Sequence, residues 1–407
     1  MAQQIFSGLK ILDLTRIVAG PLCTQNMADL GATVYKIERP GKGDDSRGMG
    51  AKPTIAAGQK SIDSAMTFLA YNRGKHSITI DITQPEGAEL VQALASHCDV
   101  MIENYKSGSL QKLGLDYESI KKLNPGIIYC SLTGFGADGP YAGRPAYDFI
   151  LQGMAGPMST CGQPDGSPGA GPMRTSMPTT DLITGLYMNV AIVSALYHRL
   201  NTGEGQFIES TLLDASVAYN GHLAVSYLNG DGIPKREGNA NPIAAPSDVF
   251  ECADGHLIIA AGNDKQFKAL CEALGVPALF ADPRFATSQD RIDNRVAMRS
   301  LLSTQLIQKS KAHWLEQCLQ FGIPSAPINN MKEVFEDPAV QHREIVVEVP
   351  AAGGAMLRLV RNPMRFSRTP VQHQAPPDLG AETQTVLMSE LNLDEKAIQR
   401  LKKKAVI

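Results

Sequence analysis

The 407-residue sequence has no paired cysteines and no large excess of charge of either sign. Its seven cysteines are scattered singly, without a CxxC pair. This disfavours a disulfide framework and a zinc site, and it favours reduced thiols in a cytoplasmic protein. With 38 basic and 41 acidic residues the net charge is −3, so we expect no general attraction to nucleic acid or to membrane surfaces.

Targeting and membrane signals are also missing. Residues 1–7 lack the basic and then apolar pattern of a signal peptide. The most apolar stretch, residues 182–200, is interrupted by Thr184, Asn189 and His198, so no uncharged apolar run has the length of a membrane span. We therefore expect no membrane insertion.

Several short catalytic signatures are absent as well. The loop after the first expected strand, Thr15–Pro21, contains no GxGxxG, which disfavours binding of a nicotinamide dinucleotide. No GxxxxGK[ST], GxSxG or HExxH is present, which argues against a Walker loop, a serine hydrolase of that type and a zincin. We expect neither a metal nor a permanently bound cofactor.

Alternating strand and helix patterns are what the first half of the sequence does contain. Strand-like segments at 9–14, 33–38, 77–82, 99–103 and 127–132 alternate with helical segments, and another strand is predicted at 206–210. Repeated βαβ units are typical of a parallel sheet with helices on both faces. The predicted fold is therefore α/β, with a doubly wound Rossmann-like sheet of about six strands but without a dinucleotide fingerprint.

The second half indicates a further, smaller domain. Residues 229–246 are rich in Gly, Pro and Asn and are interpreted as a linker. A hairpin and three amphipathic segments follow, which predicts a small α+β domain over 247–323. A second linker at 324–330 leads to residues 331–407, which we expect to return to the large domain formed by 1–228.

Asp181 stands at the start of a predicted helix. It follows Pro178-Thr179-Thr180, after a long Gly- and Pro-rich loop, and it precedes the apolar stretch. Within that stretch the spacing of Leu182, Leu186, Val190, Val193 and Leu196 predicts a largely buried helix.

A carboxylate in the first turn of a helix faces free backbone N–H groups and the positive end of the helix dipole. We therefore expect Asp181 to be fixed in position and ionised at neutral pH. Two roles remain open from the residues alone: a helix cap, which is common for Asp at a helix start, or a nucleophile toward an activated acyl group.

The order of several sequence blocks resembles one known family, the class III coenzyme A transferases (CaiB–BaiF family). The blocks are GLKILDLT (8–15), AGP (19–21), DLGATVYKIERP (29–40), GDDSR (43–47), NRGKHS (72–77), DVMIENY (99–105), GFG (134–136), YD (147–148), DLITG (181–185) and TGEGQ (202–206). Each block alone is a weak signal, whereas their order and spacing together are specific.

The resemblance implies a catalytic role for Asp181. In such enzymes the aspartate attacks an acyl-CoA thioester, forms a mixed anhydride and then an aspartyl-CoA thioester, and passes CoA to an acceptor acid. Acyl-CoA is then a substrate. The resemblance also implies a homodimer of two interlocked rings.

The resemblance further implies a set of CoA contacts along the large domain. These contacts are Ile17, Val18, Ala19, Arg39, Asn72, Lys75, Asn104, Tyr105 and Lys112. Arg and Lys suit the phosphates of CoA. Three residues are candidates for contact with the acid substrate: Arg47, Arg174 and Tyr147.

Differences from other members of this family narrow the choice of acid substrate. Oxalate-accepting members carry Gln and Trp where this sequence has Val18 and Met49, and a glycine run at 262–266. The sequence is more similar to the succinate–hydroxymethylglutarate branch, which implies succinyl-CoA as donor and a dicarboxylic acceptor. The alternatives are an oxalate- or carnitine-type CoA-transferase and an α-methylacyl-CoA racemase. A racemase needs an acid/base pair, and Tyr147 stands where racemases carry His.

Overall fold

The computed structural model describes residues 4–54, 62–351 and 354–407. These residues form two compact units. The large unit consists of residues 1–157, 175–231 and 344–407, apart from the undescribed residues, and the small unit of 158–174 and 232–343. The boundaries differ from the expected ones: residues 158–174 and 331–343 group with the small unit rather than with the large one.

The strands are short and follow the βα pattern predicted for the first half of the chain. They are β1 Lys10–Asp13, β2 Thr33–Glu38, β3 His76–Thr79, β4 Val100–Glu103, β5 Ile128–Thr133, β6 Gln206–Thr211, β7 Ser247–Cys252, β8 Gly255–Ala260, β9 Ser325–Pro327, β10 Val346–Pro350 and β11 Met356–Val360.

The helices in the described residues are bounded as follows. They are α1 Ala19–Asp29, α2 Met66–Tyr71, α3 Pro85–Ala95, α4 Tyr117–Leu123, α5 Asp148–Met154, α6 Pro157–Thr160, α7 Thr179–Thr202, α8 Leu212–Tyr219, α9 His222–Leu228, α10 Asp264–Ala273, α11 Ser288–Asp293, α12 Arg295–Leu306, α13 Lys311–Gln320, α14 Met331–Glu336, α15 Pro338–His342, α16 Thr383–Leu391 and α17 Glu395–Lys403.

The sheet of the large unit confirms the predicted Rossmann-like fold. Its order is β3-β2-β1-β4-β5-β6, and every neighbouring pair is parallel. Successive side chains of β1 pack into different clusters, Ile11 on one face of the sheet and Leu12 on the other. Most residues of the central strands are buried, and beside the apolar side chains they include charged ones, among them Asp13, Lys36 and Glu38.

Helix α7 is less buried than the sequence analysis expected. Its buried side includes Met188, Ile192 and Ala195, which pack against α1 and the sheet. Leu186, Val190 and Val193, which were expected in the core, are exposed. The prediction of a largely buried helix was therefore wrong for one of its faces.

By length and mean hydropathy, α7 meets the criteria for a membrane span, contrary to the expectation from sequence. The core helix of a folded unit meets the same criteria. The packing of its inner face against α1, α5 and α8 assigns α7 to the core of the large unit.

The small unit has its own core and matches the predicted hairpin with amphipathic helices. β7 and β8 form the hairpin, and β9 adds a third antiparallel strand. Phe250, Phe267 and Phe285 are fully buried among the residues of α10, α12 and α13. The guanidinium of Arg291 is buried too, and it donates to the backbone oxygens of Ala245, Phe285 and Gly262.

Candidate active site

A cleft of about 420 Å³ opens in the large unit at the carboxyl ends of β1 and β4. These two neighbouring strands are the point at which the strand order reverses, and open α/β sheets bind their ligands there. The loops after β1, β4 and β5 line the cleft, together with the start of α5 and Asp181 of α7.

The loop after β1 is held by side chains from several elements. Asn104 clamps the backbone of Arg16: its Oδ1 accepts from Arg16 N–H at 2.9 Å, and its Nδ2 donates to Arg16 O at 2.8 Å. Asp44 accepts from the N–H of Ile17, at 3.2 and 3.3 Å from its two oxygens. Ile17 has a φ of 76°, which a β-branched residue rarely adopts.

Asp181 is the third residue of α7 and faces the same cleft. One turn later, Gly185 brings α7 against the start of α1, because a Cβ at this position would lie 2.5 Å from the carbonyl oxygen of Ala19. This close approach places Asp181 beside the Ile17–Ala19 loop. A glycine is required there for packing.

Asp148, rather than Asp181, serves as the cap of α7. Its Oδ2 accepts from the backbone N–H of Thr180 at 2.8 Å and from that of Asp181 at 3.3 Å. No hydrogen bond reaches the Asp181 carboxylate from the described residues, so its oxygens remain open to a ligand. The cap interpretation of Asp181 is therefore wrong.

The charge state of Asp181 also differs from the expectation. Burial, and then the nearby Asp148 carboxylate, raise the pKa of Asp181 from 3.8 to about 7. The helix N-terminus does not keep this group fully ionised, because Asp148 already takes the N–H groups that would stabilise its charge. Tyr71, which the sequence analysis did not select, has a raised pKa through burial and the charge of Asp181.

The structure brings six of the predicted binding residues together in the cleft. Its walls include the following residues of the predicted set: Ile17, Val18, Ala19, Asn104, Tyr105 and Tyr147. Tyr147 is 69% exposed there, directly before Asp148.

Two predicted CoA contacts, Lys75 and Asn72, are buried away from the cleft. The Lys75 ammonium is fully covered and donates to Asp13 at 3.1 Å, to Pro21 O and to the side-chain oxygen of Asn72. Burial lowers the pKa of Lys75 to about 8. Because both side chains are enclosed and already bonded, Lys75 and Asn72 support the fold rather than meet a ligand here.

Arg47 is likewise buried, and its guanidinium already has partners within the protein. Its guanidinium makes two hydrogen bonds to Glu38, at 2.7 and 2.8 Å, and it lies over the ring of Phe68 at 3.7 Å. With 7% of its surface exposed, it is not placed to bind a substrate carboxylate.

The remaining predicted cations lie elsewhere. Arg39 is half-buried and pairs with Asp45 at the edge of the cleft, with Nη2 2.5 Å from the carboxylate. Lys112 is exposed in a short 3₁₀ helix beyond the residues that line the cleft. Arg174 is exposed and belongs to the small unit.

Sequence reasoning missed three cations on the cleft wall: Arg16, Lys106 and Arg144. The Arg16 guanidinium stacks on Tyr105 at 5.1 Å and pairs with Asp45 at 3.1 Å. Arg16 could have been selected from its position in the loop after the first strand. Nothing in the sequence distinguishes Lys106 and Arg144 from surface charges. Among the described residues, no group of three or more His, Cys, Asp or Glu side chains is arranged to hold a metal ion.

Comparisons with known proteins identify the family of the chain. The model of CoA-transferase family III matches residues 6–383. A succinate–glutarate CoA-transferase of Agrobacterium fabrum is 43% identical over 391 residues, which cover 96% of each chain. A succinyl-CoA:glutarate CoA-transferase of Mus musculus is 40% identical, covering 97% of this chain and 88% of that protein.

A solved structure extends the likeness to three dimensions. A CAIB/BAIF family protein from Brucella suis has a TM-score of 0.85 and 41% identity, covering 95% of this chain and all of the other. An α/β chain with this cleft and these relatives is a CoA-transferase. More narrowly, the chain belongs to CoA-transferase family III, the CaiB/BaiF family.

Proposed function

We propose that the protein transfers CoA from succinyl-CoA to a dicarboxylic acid, with Asp181 as the nucleophile that carries the acyl and CoA groups in turn. Glutarate is the first acceptor to test, because two relatives above 30% identity are named for succinate and glutarate. The single observation that carries the proposal is the Asp181 carboxylate, which faces the cleft without a hydrogen-bond donor among the described residues.

The first half-reaction moves CoA onto the enzyme. An oxygen of the Asp181 carboxylate attacks the thioester carbonyl of succinyl-CoA; the C–S bond breaks, leaving a mixed anhydride and CoA thiolate. The thiolate then attacks the Asp181 carbonyl. Succinate leaves with the bridging oxygen, and an aspartyl-CoA thioester remains.

The second half-reaction reverses these steps with the new acid. A carboxylate oxygen of the acceptor attacks the aspartyl thioester, which expels the thiolate and forms a second anhydride. The thiolate attacks the acceptor carbonyl, so the new acyl-CoA leaves and Asp181 is regenerated. One thioester is exchanged for another, and the work of the enzyme is to keep the thiolate and both acids in place.

The cleft walls fit a donor with an apolar arm and a charged end. In our proposal the backbone of Ile17, Val18 and Ala19 lies along the pantetheine arm, beside Asn104 and Tyr105. Arg16, Lys106 and Arg144 supply positive charge for phosphates. Only ionised Asp181 is nucleophilic, so its pKa of about 7 predicts that the free enzyme gains activity as the pH rises through neutrality.

We also propose that the protein forms a homodimer through α7. A row of apolar side chains on its outer face is exposed: Leu186 52%, Val190 65%, Val193 45%, Tyr197 71% and Leu200 84%. The spacing of four, three, four and three residues places them on one side of the helix. An exposed apolar row of this length is typical of a protein interface.

Oxygen transfer tests the role of Asp181. In the proposed route, an oxygen of the acceptor becomes the anhydride bridge and remains on Asp181. One turnover with ¹⁸O-labelled glutarate and succinyl-CoA should therefore place ¹⁸O on the peptide that contains Asp181, as read by mass spectrometry. Asp148, the neighbouring carboxylate in a different proteolytic fragment, should stay unlabelled and is the internal control.

A variant of Asp181 separates the chemical step from CoA binding. Asp181→Asn should lose transfer and ¹⁸O incorporation while its affinity for CoA stays within about threefold, because the amide keeps the shape but is not a nucleophile. Transfer at the wild-type rate by this variant, or an unlabelled Asp181 after turnover by the wild type, contradicts the proposed route.

A further inference from the structure

The loop after β1 is built on buried charges that do not themselves line the cleft. Asp44 and Lys36 form an ion pair at 2.9 Å, and neither side chain has any exposed surface. Within the described residues, the cleft wall includes Arg16, Ile17 and Val18 but neither member of this pair. The pair therefore contacts the loop on the side that faces away from the cleft.

Five polar backbone atoms of the turn, from Thr15 N–H to Ile17 N–H, have a defined partner. Thr15 N–H donates to Asp13 at 2.8 Å, and Thr15 O accepts from Lys36 Nζ at 2.8 Å. Ile17 N–H donates to Asp44. Asn104, which follows β4, holds the backbone of Arg16 through two hydrogen bonds. The backbone from Thr15 to Ile17 is therefore held by residues on both sides of β1.

The conformation that these contacts maintain is unfavourable for the residue that adopts it. Ile17 lies in the left-handed region, where its branched Cβ is crowded, and such a conformation persists only when the surroundings impose it. The carboxylate of Asp44 is itself oriented by Ser46, whose N–H and hydroxyl donate to Oδ1 at 2.9 and 2.8 Å. Glu38 accepts from the Asp44 N–H at 2.8 Å.

We propose that Asp44 is a positioning residue: paired with Lys36, it holds the Ile17 backbone in the left-handed conformation that shapes the cleft wall for the acyl-CoA donor. The inference rests on the proposed binding of that donor along Ile17–Ala19. The Lys36 ammonium supports this arrangement by holding the pKa of Asp44 well below its usual range. Asp44 thus remains a charged acceptor for the Ile17 N–H.

The test compares Asp44→Asn with a matched control, Asp29→Asn. Asp29 pairs with Arg73 at 2.7 Å and is equally buried, but it lies at the far end of α1, ten residues or about 15 Å from Ala19. Both variants lose one buried charge and should lose similar stability in urea unfolding. Only Asp44→Asn should raise the KM for succinyl-CoA, by about tenfold, with kcat within about threefold.

A second comparison isolates the backbone of residue 17. Glycine adopts the left-handed conformation without crowding, so Asp44 should matter less when residue 17 is Gly. In the Ile17→Gly background we expect Asp44→Asn to change the KM by less than about threefold. An equal effect of Asp44→Asn in both backgrounds, or an equal rise in KM in Asp29→Asn, overturns the proposal.

A milder change covers the case in which Asp44→Asn does not fold. Ser46→Ala removes one hydrogen bond that orients Asp44 without altering charge, and it should raise the KM for succinyl-CoA about two- to fourfold, in line with the loss of one hydrogen bond. An unchanged KM in this variant contradicts the inference. Failure of the proposed function would be seen separately, as a wild-type protein that neither binds CoA nor transfers it.

Discussion

The carboxylate of Asp148 accepts a hydrogen bond from the backbone N–H of Asp181, at 3.3 Å, and from that of Thr180, at 2.8 Å. One acidic side chain thereby occupies the helix N-terminus that would otherwise stabilise the charge of the other. The result is a carboxylate with open oxygens and a pKa near neutrality in the cleft of a CoA-transferase.

Asp148→Asn should shift the pH dependence of catalysis. The acidic limb of kcat/KM reports the pKa of the free enzyme, which we expect near 7 from Asp181. Removing the Asp148 charge should move that limb to lower pH. The shift should be smaller than the whole difference between the pKa of about 7 and the ordinary value of 3.8, because burial is the larger cause of the raised pKa. Asn can still accept from the helix N–H groups.

The control for this change is Asp116→Asn. Asp116 caps α4 through the N–H groups of Glu118 and Ser119, outside the cleft wall. Its replacement should leave the limb in place. A limb that stays fixed in Asp148→Asn would show that Asp148 does not set the charge of Asp181.

Asp181→Asn should stabilise the folded protein at high pH. The folded-state pKa of Asp181, about 7, lies above the value of 3.8 for the free side chain. The folded state therefore holds this proton more tightly, and the wild type loses stability as the pH rises from about 4 to about 7. Urea unfolding should give the variant an advantage on the order of 1–3 kcal/mol at about pH 8 that disappears near pH 4.

Gly185→Ala should separate α7 from α1. The new Cβ would lie 2.5 Å from Ala19 O, so the helices must move apart, at a cost of about 1–3 kcal/mol in unfolding free energy. Transfer activity should fall with it, because Asp181 is one turn away. Gly48→Ala is the control, since no described atom lies within 4 Å of the added Cβ; equal losses in both variants would argue against the close approach.

Arg47→Met should destabilise the fold instead of altering acid preference. It removes the ion-pair partner of the buried Glu38 carboxylate, at a cost of about 3–5 kcal/mol. Combining it with Glu38→Gln should recover part of that loss, and the ratio of kcat/KM for glutarate over other acids should equal the wild-type ratio. A changed acid preference in the stable double variant would restore Arg47 as a substrate contact.

Val190→Glu should weaken the proposed homodimer. It places a charge in the middle of the exposed apolar row of α7, and light scattering should show a shift toward monomer at micromolar concentration. Leu123→Glu introduces the same charge in place of an exposed apolar side chain on α4 and should leave the mass unchanged. A wild-type protein that is monomeric in the same measurement contradicts the dimer.

The positions of apolar residues along the sequence were enough to predict the parallel sheet of the large unit. The apolar runs around Ile11, Val34 and Ile102 predicted the parallel strands, because strands covered on both faces are rich in apolar side chains. The break between α8 and α9 is harder to predict: the chain turns at Gly221, which has a φ of 53°, between two short helices. Glycine in a helical pattern gives only a weak signal of a break.

Side-chain partners were much harder to predict than elements. Lys75 and Arg47 have the composition of ligand-binding residues, yet both are neutralised in the interior by Asp13 and Glu38. A sequence states that a charge exists, but not whether a carboxylate from another strand reaches it. The same limit applied to Lys106 and Arg144, whose place on the cleft wall depends on how two loops meet.

The sequence by itself determined the doubly wound sheet, the loop after β1 and the position of Asp181 at the start of α7, because these follow from periodicity and short-range order along the chain. Only the tertiary structure decided the hydrogen bonding and the pKa of Asp181. Asp148 lies 33 residues earlier and reaches the helix start by folding of the chain, and burial adds to its effect. A pKa depends on solvent exclusion and on charges nearby in space, and neither is encoded in the spacing of residues along the chain.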